Sequence, residues 1–274
     1  MRSFVLLVLW LALPVLPGVV RAQDPLIARF STTMGDFDVL LNAQAAPITV
    51  SNFVRYAAAG IYDGTFIHRS TTANPFDIQI IQGGSYFLQG EPPLAYGVPL
   101  FPPIPLEANL PNLRGTIAMA RMTAPDTATS GWFLNLQDDG RLDPVGPGTG
   151  YAVFGRVLGQ GVQNVVDSLG GVMTYNFGGV FSQLPLLFPV IETQNFLTIL
   201  RVEVLPFRIT AARREPGGFR VDWPALSTNT PVQVERRASL SSGAWTVVSS
   251  NNTNATFFDT NAPSSGAFYR VVVP

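Results

Sequence analysis

The chain has 274 residues, 47% hydrophobic and 13% charged, with a formal net charge of −1. That composition can fill a sizeable core and argues against disorder, while the absence of a basic run or stripe argues against a nucleic-acid partner. There is no cysteine and one histidine, His68, which excludes zinc sites of the usual ligand types, cysteine nucleophiles and disulfide staples.

The N-terminus reads as a targeting segment. Arg2 supplies the positive start, residues 4–16 form an apolar run broken by Pro14, and Val20-Arg21-Ala22 places small residues at a cleavage position. The run is shorter than the ~20 residues of a spanning helix, so residues 1–22 are expected to be removed after Ala22, with no stable membrane insertion afterwards. The mature protein is then exported, to the periplasm or the extracellular space.

Two β-rich runs, 26–33 and 36–41, flank Met34-Gly35 and predict a hairpin. Pro47 suits the first turn of a helix. Val50, Phe53, Val54, Ala57 and Ala58 follow as a one-sided stripe, and Gly60 stands at the C-terminal cap. A second helix is legible at Val162, Val165, Val166 and Leu169, ended by Gly170-Gly171. Short β-rich runs lie at 66–69, 78–82, 116–120, 132–136, 152–157 and 196–204. Two helices against about eight strands predict a mostly β fold, a closed eight-stranded antiparallel barrel capped by the two α-helices, over residues 26–205. Residues 174–194 have no clean period and are expected to form an ordered loop over the barrel or a contact surface. From Pro206 to the end of the chain, six strand candidates recur about every ten residues. They predict a small β-sandwich with its own core, anchored by Trp223 and Tyr269.

The chemistry concentrates between Gly60 and Gly84. Taken as a strand, Phe66-Ile67-His68-Arg69 turns Ile67 and Arg69 to one face and Phe66 and His68 to the other. An arginine in an apolar strand needs solvent or a partner. Gln82, before Gly83-Gly84, is its candidate neighbour. The acidic Asp138-Asp139-Gly140 with Asp143 is read as a turn rather than a calcium loop.

A series of motifs in order resembles the cyclophilin-type peptidyl-prolyl cis–trans isomerases. It comprises Met34-Gly35-Asp36, Ala46-Pro47-Ile48-Thr49-Val50-Ser51-Asn52-Phe53, Tyr62-Asp63-Gly64-Thr65-Phe66-Ile67-His68-Arg69, Gln82-Gly83-Gly84, Arg114-Gly115-Thr116-Ile117-Ala118-Met119-Ala120, Ser130-Gly131-Trp132-Phe133 and Val153-Phe154-Gly155-Arg156-Val157. The resemblance implies that Arg69 is the catalytic arginine and that Gln82 orients it and the substrate. It also implies that Phe133 walls a proline pocket, that Ile80 and Leu142 line it, and that Ala120 and Arg121 form the edge along which the substrate backbone lies. Tyr151 falls at the pocket rim. Gln79 stands where the family has a pocket phenylalanine, so Phe76 is assigned that place with 77–79 read as a bulge; Gly131 replaces a usual glutamine. No cofactor is implied, and the partners are proline-containing polypeptides among exported proteins. The alternative is a catalytically weak module of the same fold that binds proline-containing segments. The region from 206 on resembles fibronectin type III-like modules, through Val221-Asp222-Trp223, Tyr269-Arg270-Val271 and the strand spacing.

Overall fold

The computed structural model describes residues 25–273 apart from 73–75, 228–229, 240–242 and 265; the targeting segment, 1–22, lies outside the described residues. Strand β1 (Leu26–Thr32) turns through Gly35, at φ +116°, into β2 (Gly35–Leu41), as the hairpin pattern requires. Helix α1 (Pro47–Ala58) buries Val50, Phe53 and Ala57, but its inner face also takes Tyr56, and Ala58 is exposed. Its first N–H groups are capped from a distance: Glu107 accepts from the Ile48 and Thr49 amides at 3.1 and 2.7 Å. Gly60, at φ +66°, ends the helix where the sequence places its stop.

Six further strands follow, four of them in the main sheet: β3 (Arg69–Ser70), β4 (Ile80–Gly83), the separate hairpin β5 (Tyr86–Gln89) and β6 (Leu94–Gly97), β7 (Thr116–Met119) and β8 (Trp132–Asn135). Then come β9 (Val153–Val157) and α2 (Gln160–Gly170), the short pair β10 (Thr174–Tyr175) and β11 (Leu184–Pro185), and β12 (Ile199–Pro206). The eight-stranded sheet runs β12-β1-β2-β9-β7-β8-β4-β3, antiparallel throughout.

This sheet is an open curl, not the closed barrel expected. Strand β3 has two residues and cannot ladder along the eight of β12. The seam is instead tacked just upstream of β3, where Gly64 N–H donates to Ile199 O at 2.8 Å and Ile67 N–H to Leu197 O at 2.9 Å. Inside the curl lies the main core, with Phe30, Phe37, Phe53, Trp132 and Phe154 all fully buried. Trp132 explains the paired glycines. A Cβ on Gly83 would stand 2.9 Å from the Trp132 ring, and one on Gly84 2.6 Å from its Nε1.

Beyond Pro206 there is no linker. Strand β12 pairs with β1 as far as Pro206↔Leu26, and the Phe207 N–H donates straight back to Pro25 O at 2.7 Å. Strands β13 (Ala211–Glu215), β14 (Gly218–Asp222) and β17 (Thr256–Asp259) form one sheet. A second consists of β16 (Thr246–Asn252), β15 (Val232–Arg237) and β18 (Phe268–Val272). Five of these lie where the alternation predicted. The first strand does not: residues 207–210 leave the sheet and β13 begins at Ala211. Trp223 is buried, and Tyr269 stacks on Phe219 with ring centroids 5.1 Å apart.

The core of this region is shared rather than its own. Ile27 and Leu158 from the curled sheet pack with Phe207, Val221, Trp223, Val232 and Val234. Alternation along β1 makes this unavoidable: Ala28 and Phe30 point inward, so Ile27 points outward and needs cover. A buried ion pair marks the same junction. Asp38, fully buried, accepts from Arg29 Nε at 3.0 Å and Nη2 at 3.1 Å, and also from the Ser227 amide at 2.6 Å. Arg29 Nη2 donates in addition to Ala225 O at 2.7 Å.

Candidate active site

The register of five adjacent strands assembles the site. Arg69 on β3 stands opposite Gln82 on β4, Gln82 opposite Phe133 on β8, Phe133 opposite Ala118 on β7, and Ala118 opposite Val153 on β9. Directly opposed residues share a face, so a cation, an amide and an aromatic ring lie in one row on the outer face of the curl. Ile80, two residues before Gln82, joins that face. Ile80, Ala118, Phe133, Leu142 and Val153 form a compact apolar cluster, with Ile78, Leu110, Ala120 and Tyr151 packed against it. The Tyr151 ring meets Phe133 edge-on at 5.3 Å. Leu142 is delivered by a short 3-10 turn, Gly140–Leu142, capped by Asp139.

Arg69 is half-buried, and its Nε donates to Gln183 Oε1 at 3.0 Å. Gln183 also accepts the Ser70 amide through its own carbonyl at 2.9 Å. It lies 114 residues from Arg69, in the loop with no sequence period, so the side chain that braces the arginine is not the one the motif suggested. Gln82 is the cross-strand neighbour and remains partly exposed beside it. Nothing in spacing could have found Gln183; the only signal was an apolar loop that had to lie somewhere over the fold.

Two expectations are corrected here. Phe76 does not close the pocket: it is 90% exposed. The segment is turned outward because Arg141 Nη1 donates to Phe76 O at 3.1 Å while Thr71 Oγ1, bonded to Ile78 O, accepts the Ile80 amide at 3.0 Å. Those bonds present Ile78 and Ile80 to the cluster, against which Ile78 packs half-buried. Second, Ile67 and Arg69 do not share a face. Ile67 packs in the main core because its amide bonds across the seam to Leu197, whereas the next amide, of His68, bonds to Gln82 O at 3.0 Å. The change of partner between 67 and 68 breaks the alternation.

Arg121 acts as a strut. Its guanidinium donates to Gly150 O at 2.9 Å, Met122 O at 3.0 Å and Thr123 O at 2.9 Å, and lies 4.9 Å from the Tyr151 ring centre. The Ala120 amide donates to Gly131 O at 2.9 Å. A Cβ on Gly131 would stand 2.8 Å from Ser85 Oγ, so the serine occupies room that a longer side chain would need. The acidic turn holds loops together: Asp138 accepts from the Arg114 amide, Asp139 from Arg141, and Asp143 from the Asn112 amide. Among the described residues no group of three or more His, Cys, Asp or Glu could hold a metal ion.

His68 is a packing residue. It is 4% exposed, meets the Tyr86 ring edge-on at 4.9 Å, and has no partner for Nδ1. Burial, with help from the Arg69 charge, lowers its pKa from 6.5 to about 4. The linkage follows in sign. Above pH 6.5 both folded and unfolded states hold it neutral; below, only the unfolded state takes up the proton, so stability falls with pH until about 4. The full effect is on the order of 3 kcal/mol. His68→Phe is expected to flatten the urea-measured loss of stability between pH 7 and 4.5 by roughly 2 kcal/mol. Equal slopes for the two proteins would show that His68 titrates normally.

The family described as "Cyclophilin type peptidyl-prolyl cis-trans isomerase/CLD" matches residues 27–181. The chain is 38% identical over 150 residues to peptidyl-prolyl cis-trans isomerase A of Dickeya dadantii, covering 54% of this chain and 73% of that one. The chain belongs to the cyclophilin-type peptidyl-prolyl isomerase family. To peptidyl-prolyl cis-trans isomerase B of Escherichia coli K12 it is 37% identical over 172 residues, 61% of this chain and 97% of the relative. Among solved structures, a Cryptosporidium parvum cyclophilin-type isomerase crystallised in the presence of the dipeptide Ala-Pro covers 65% of this chain and 98% of its own, at 21% identity and a TM-score of 0.48. Membership makes this chain an enzyme that interconverts the cis and trans forms of X-Pro peptide bonds.

Proposed function

We propose that this cyclophilin-type isomerase works by placing Arg69 against the amide of an X-Pro bond whose ring sits on Phe133, Ile80 and Leu142, and that its substrates are exported polypeptides. The observation that carries the reading is the row Arg69–Gln82–Phe133 beside the apolar cluster. Rotating the bond removes amide resonance, a barrier of ~18–20 kcal/mol. As it twists, the prolyl nitrogen becomes pyramidal and gains a lone pair. A guanidinium aimed there favours the twisted state over the planar one, which is the condition for catalysis. The apolar cluster fixes the ring and excludes water, and Gln82 offers its amide to the substrate backbone. The test is acceleration of a refolding reaction limited by proline isomerisation; a purified chain that leaves the slow phase untouched sinks the reading.

In this mechanism Gln183 is a positioning residue. Gln183→Ala is expected to lower kcat about three- to tenfold with little change in KM, the scale of one hydrogen bond to a charged group. Gln183→Glu, which retains an acceptor, should lie closer to the parent. An Ala variant with unaltered kcat would remove Gln183 from the mechanism.

Export rests on Arg2, the apolar run 4–16 and Val20-Arg21-Ala22. N-terminal sequencing of protein recovered outside the cytoplasm should begin at Gln23, and intact Met1 there would contradict cleavage. The region from 206 on, with its first, second and fifth strands in one sheet and its third, fourth and sixth in the other, supports the fibronectin type III-like reading.

A further inference from the structure

The apolar cluster beside Arg69 is shut in this structure. Phe133 is 2% exposed, Ile80 3% and Leu142 6%, so the three side chains assigned to the proline ring have almost no surface to offer it. A ring that packs on them must first displace what covers them. Ile78, Leu110, Ala120 and Tyr151 stand around the cluster. Ala120 is too short to cover a phenyl ring. Tyr151 is the aromatic among the four, and it meets Phe133 edge-on with ring centroids 5.3 Å apart.

Tyr151 is held in two different ways. Its backbone is fixed: the Tyr151 amide donates to Leu142 O at 3.1 Å, and the carbonyl just before it, of Gly150, accepts from Arg121 Nε at 2.9 Å. Gly150 has φ +74°, and a Cβ there would stand 2.5 Å from Pro144 N, so the turn has little freedom. The side chain is held more weakly. Its ring touches Phe133, and the Arg121 guanidinium lies 4.9 Å from the ring centre; the residue is half-buried and borders solvent. Both contacts are small compared with the backbone bonds that fix the turn. Rotation about the side-chain torsions therefore uncovers Phe133 without disturbing that turn. We infer that Tyr151 is a gate over the proline pocket, closed in this structure, and that Arg121 is the positioning residue that biases it shut. The inference rests on the proline ring packing on Phe133. Binding of an X-Pro segment then has two parts, opening of the gate and seating of the ring, so the apparent affinity is reduced by the fraction of molecules that stand open. The step at Arg69 follows opening and does not depend on it.

The experiment measures kcat and KM for a proline-containing tetrapeptide, by line-shape analysis, in the full chain and its variants. Tyr151→Ala is expected to lower KM about fivefold, the scale of one aromatic contact, with most of the change in KM rather than kcat. Arg121→Met, which keeps the stem and removes the charge, should lower KM about two- to threefold. Combined with Tyr151→Ala it should add nothing, because Arg121 acts through the ring. Tyr151→Phe keeps both contacts and should match the parent. Thermal unfolding verifies that each variant is folded; should Tyr151→Ala not fold, Arg121→Met and Tyr151→Phe still decide. A raised KM in Tyr151→Ala would overturn the gate and make the ring a wall of the pocket. An unchanged KM, or a Phe variant shifted as far as the Ala variant, would also overturn it, and an additive double variant would remove Arg121 from it. If the parent neither binds nor turns over the tetrapeptide while Tyr151→Ala binds it, the gate stands; failure of both counts against the isomerase mechanism instead.

Discussion

Arg69→Ala should lower kcat/KM for X-Pro isomerisation by one to two decades while leaving the fold intact. The magnitude follows from the interaction removed. A charge-assisted hydrogen bond is worth roughly 1.5–3 kcal/mol, and each 1.4 kcal/mol is about tenfold in rate. The loss should fall on kcat, because the lone pair that the guanidinium meets exists only in the twisted amide. Residual activity is expected from the apolar cluster, which still immobilises the ring. Arg69→Lys should recover little: an ammonium keeps the charge but has no Nε to meet Gln183 and no planar fork to hold its direction. Stability should barely move, since Arg69 is half-exposed and its side-chain hydrogen bond goes to the neutral amide of Gln183 rather than to a carboxylate. Single-turnover line-shape or protease-coupled assays on a tetrapeptide give the number. An Ala variant within a factor of two of the parent would transfer catalysis to the groove's shape alone.

What the sequence could and could not say divides along physical lines. Helix α1 was legible because its apolar residues recur on one face and its stop is a glycine in the left-handed region. The row Arg69–Gln82–Phe133 was legible through motifs, and register then placed the three side by side. The misreadings occur where a residue's partner comes from far along the chain. Periodicity treats 66–69 as one strand, but its amides bond in turn to Tyr86, Leu197 and Gln82, and a strand that changes partner need not keep alternation. Phe76 turns outward because Thr71 and Arg141, one on each side, fix how the excursion folds. Gln183 had no local signature at all. The closed barrel failed on length, since a two-residue edge strand cannot close a ladder.

The junction with the C-terminal sheets was also misjudged, and it yields the largest expected effect on stability. The C-terminal region was expected to have a core of its own, yet it covers the outer face of β1, whose inner face packs in the main core. The ion pair there is costly to break. Asp38→Ala leaves the Arg29 guanidinium, only 23% exposed, without its carboxylate, and leaves the Ser227 amide without an acceptor. Removing one partner of a buried pair destabilises by about 3–5 kcal/mol. Arg29 cannot escape by losing its proton, because a guanidinium stays protonated at any working pH even without its carboxylate. Because Ile27 and Leu158 pack with Trp223 and Val234, the curled sheet and the C-terminal sheets should unfold together in the parent chain, in one urea transition. In Asp38→Ala the transition should move to lower urea and divide, the C-terminal sheets leaving first. The double variant Arg29→Met, Asp38→Leu, which replaces both charges by apolar groups of similar bulk, should be markedly less damaged than Asp38→Ala. A midpoint shift worth less than about 1 kcal/mol in Asp38→Ala, the range of a solvent-exposed pair, would show that the latch contributes little and that apolar packing alone joins the two parts.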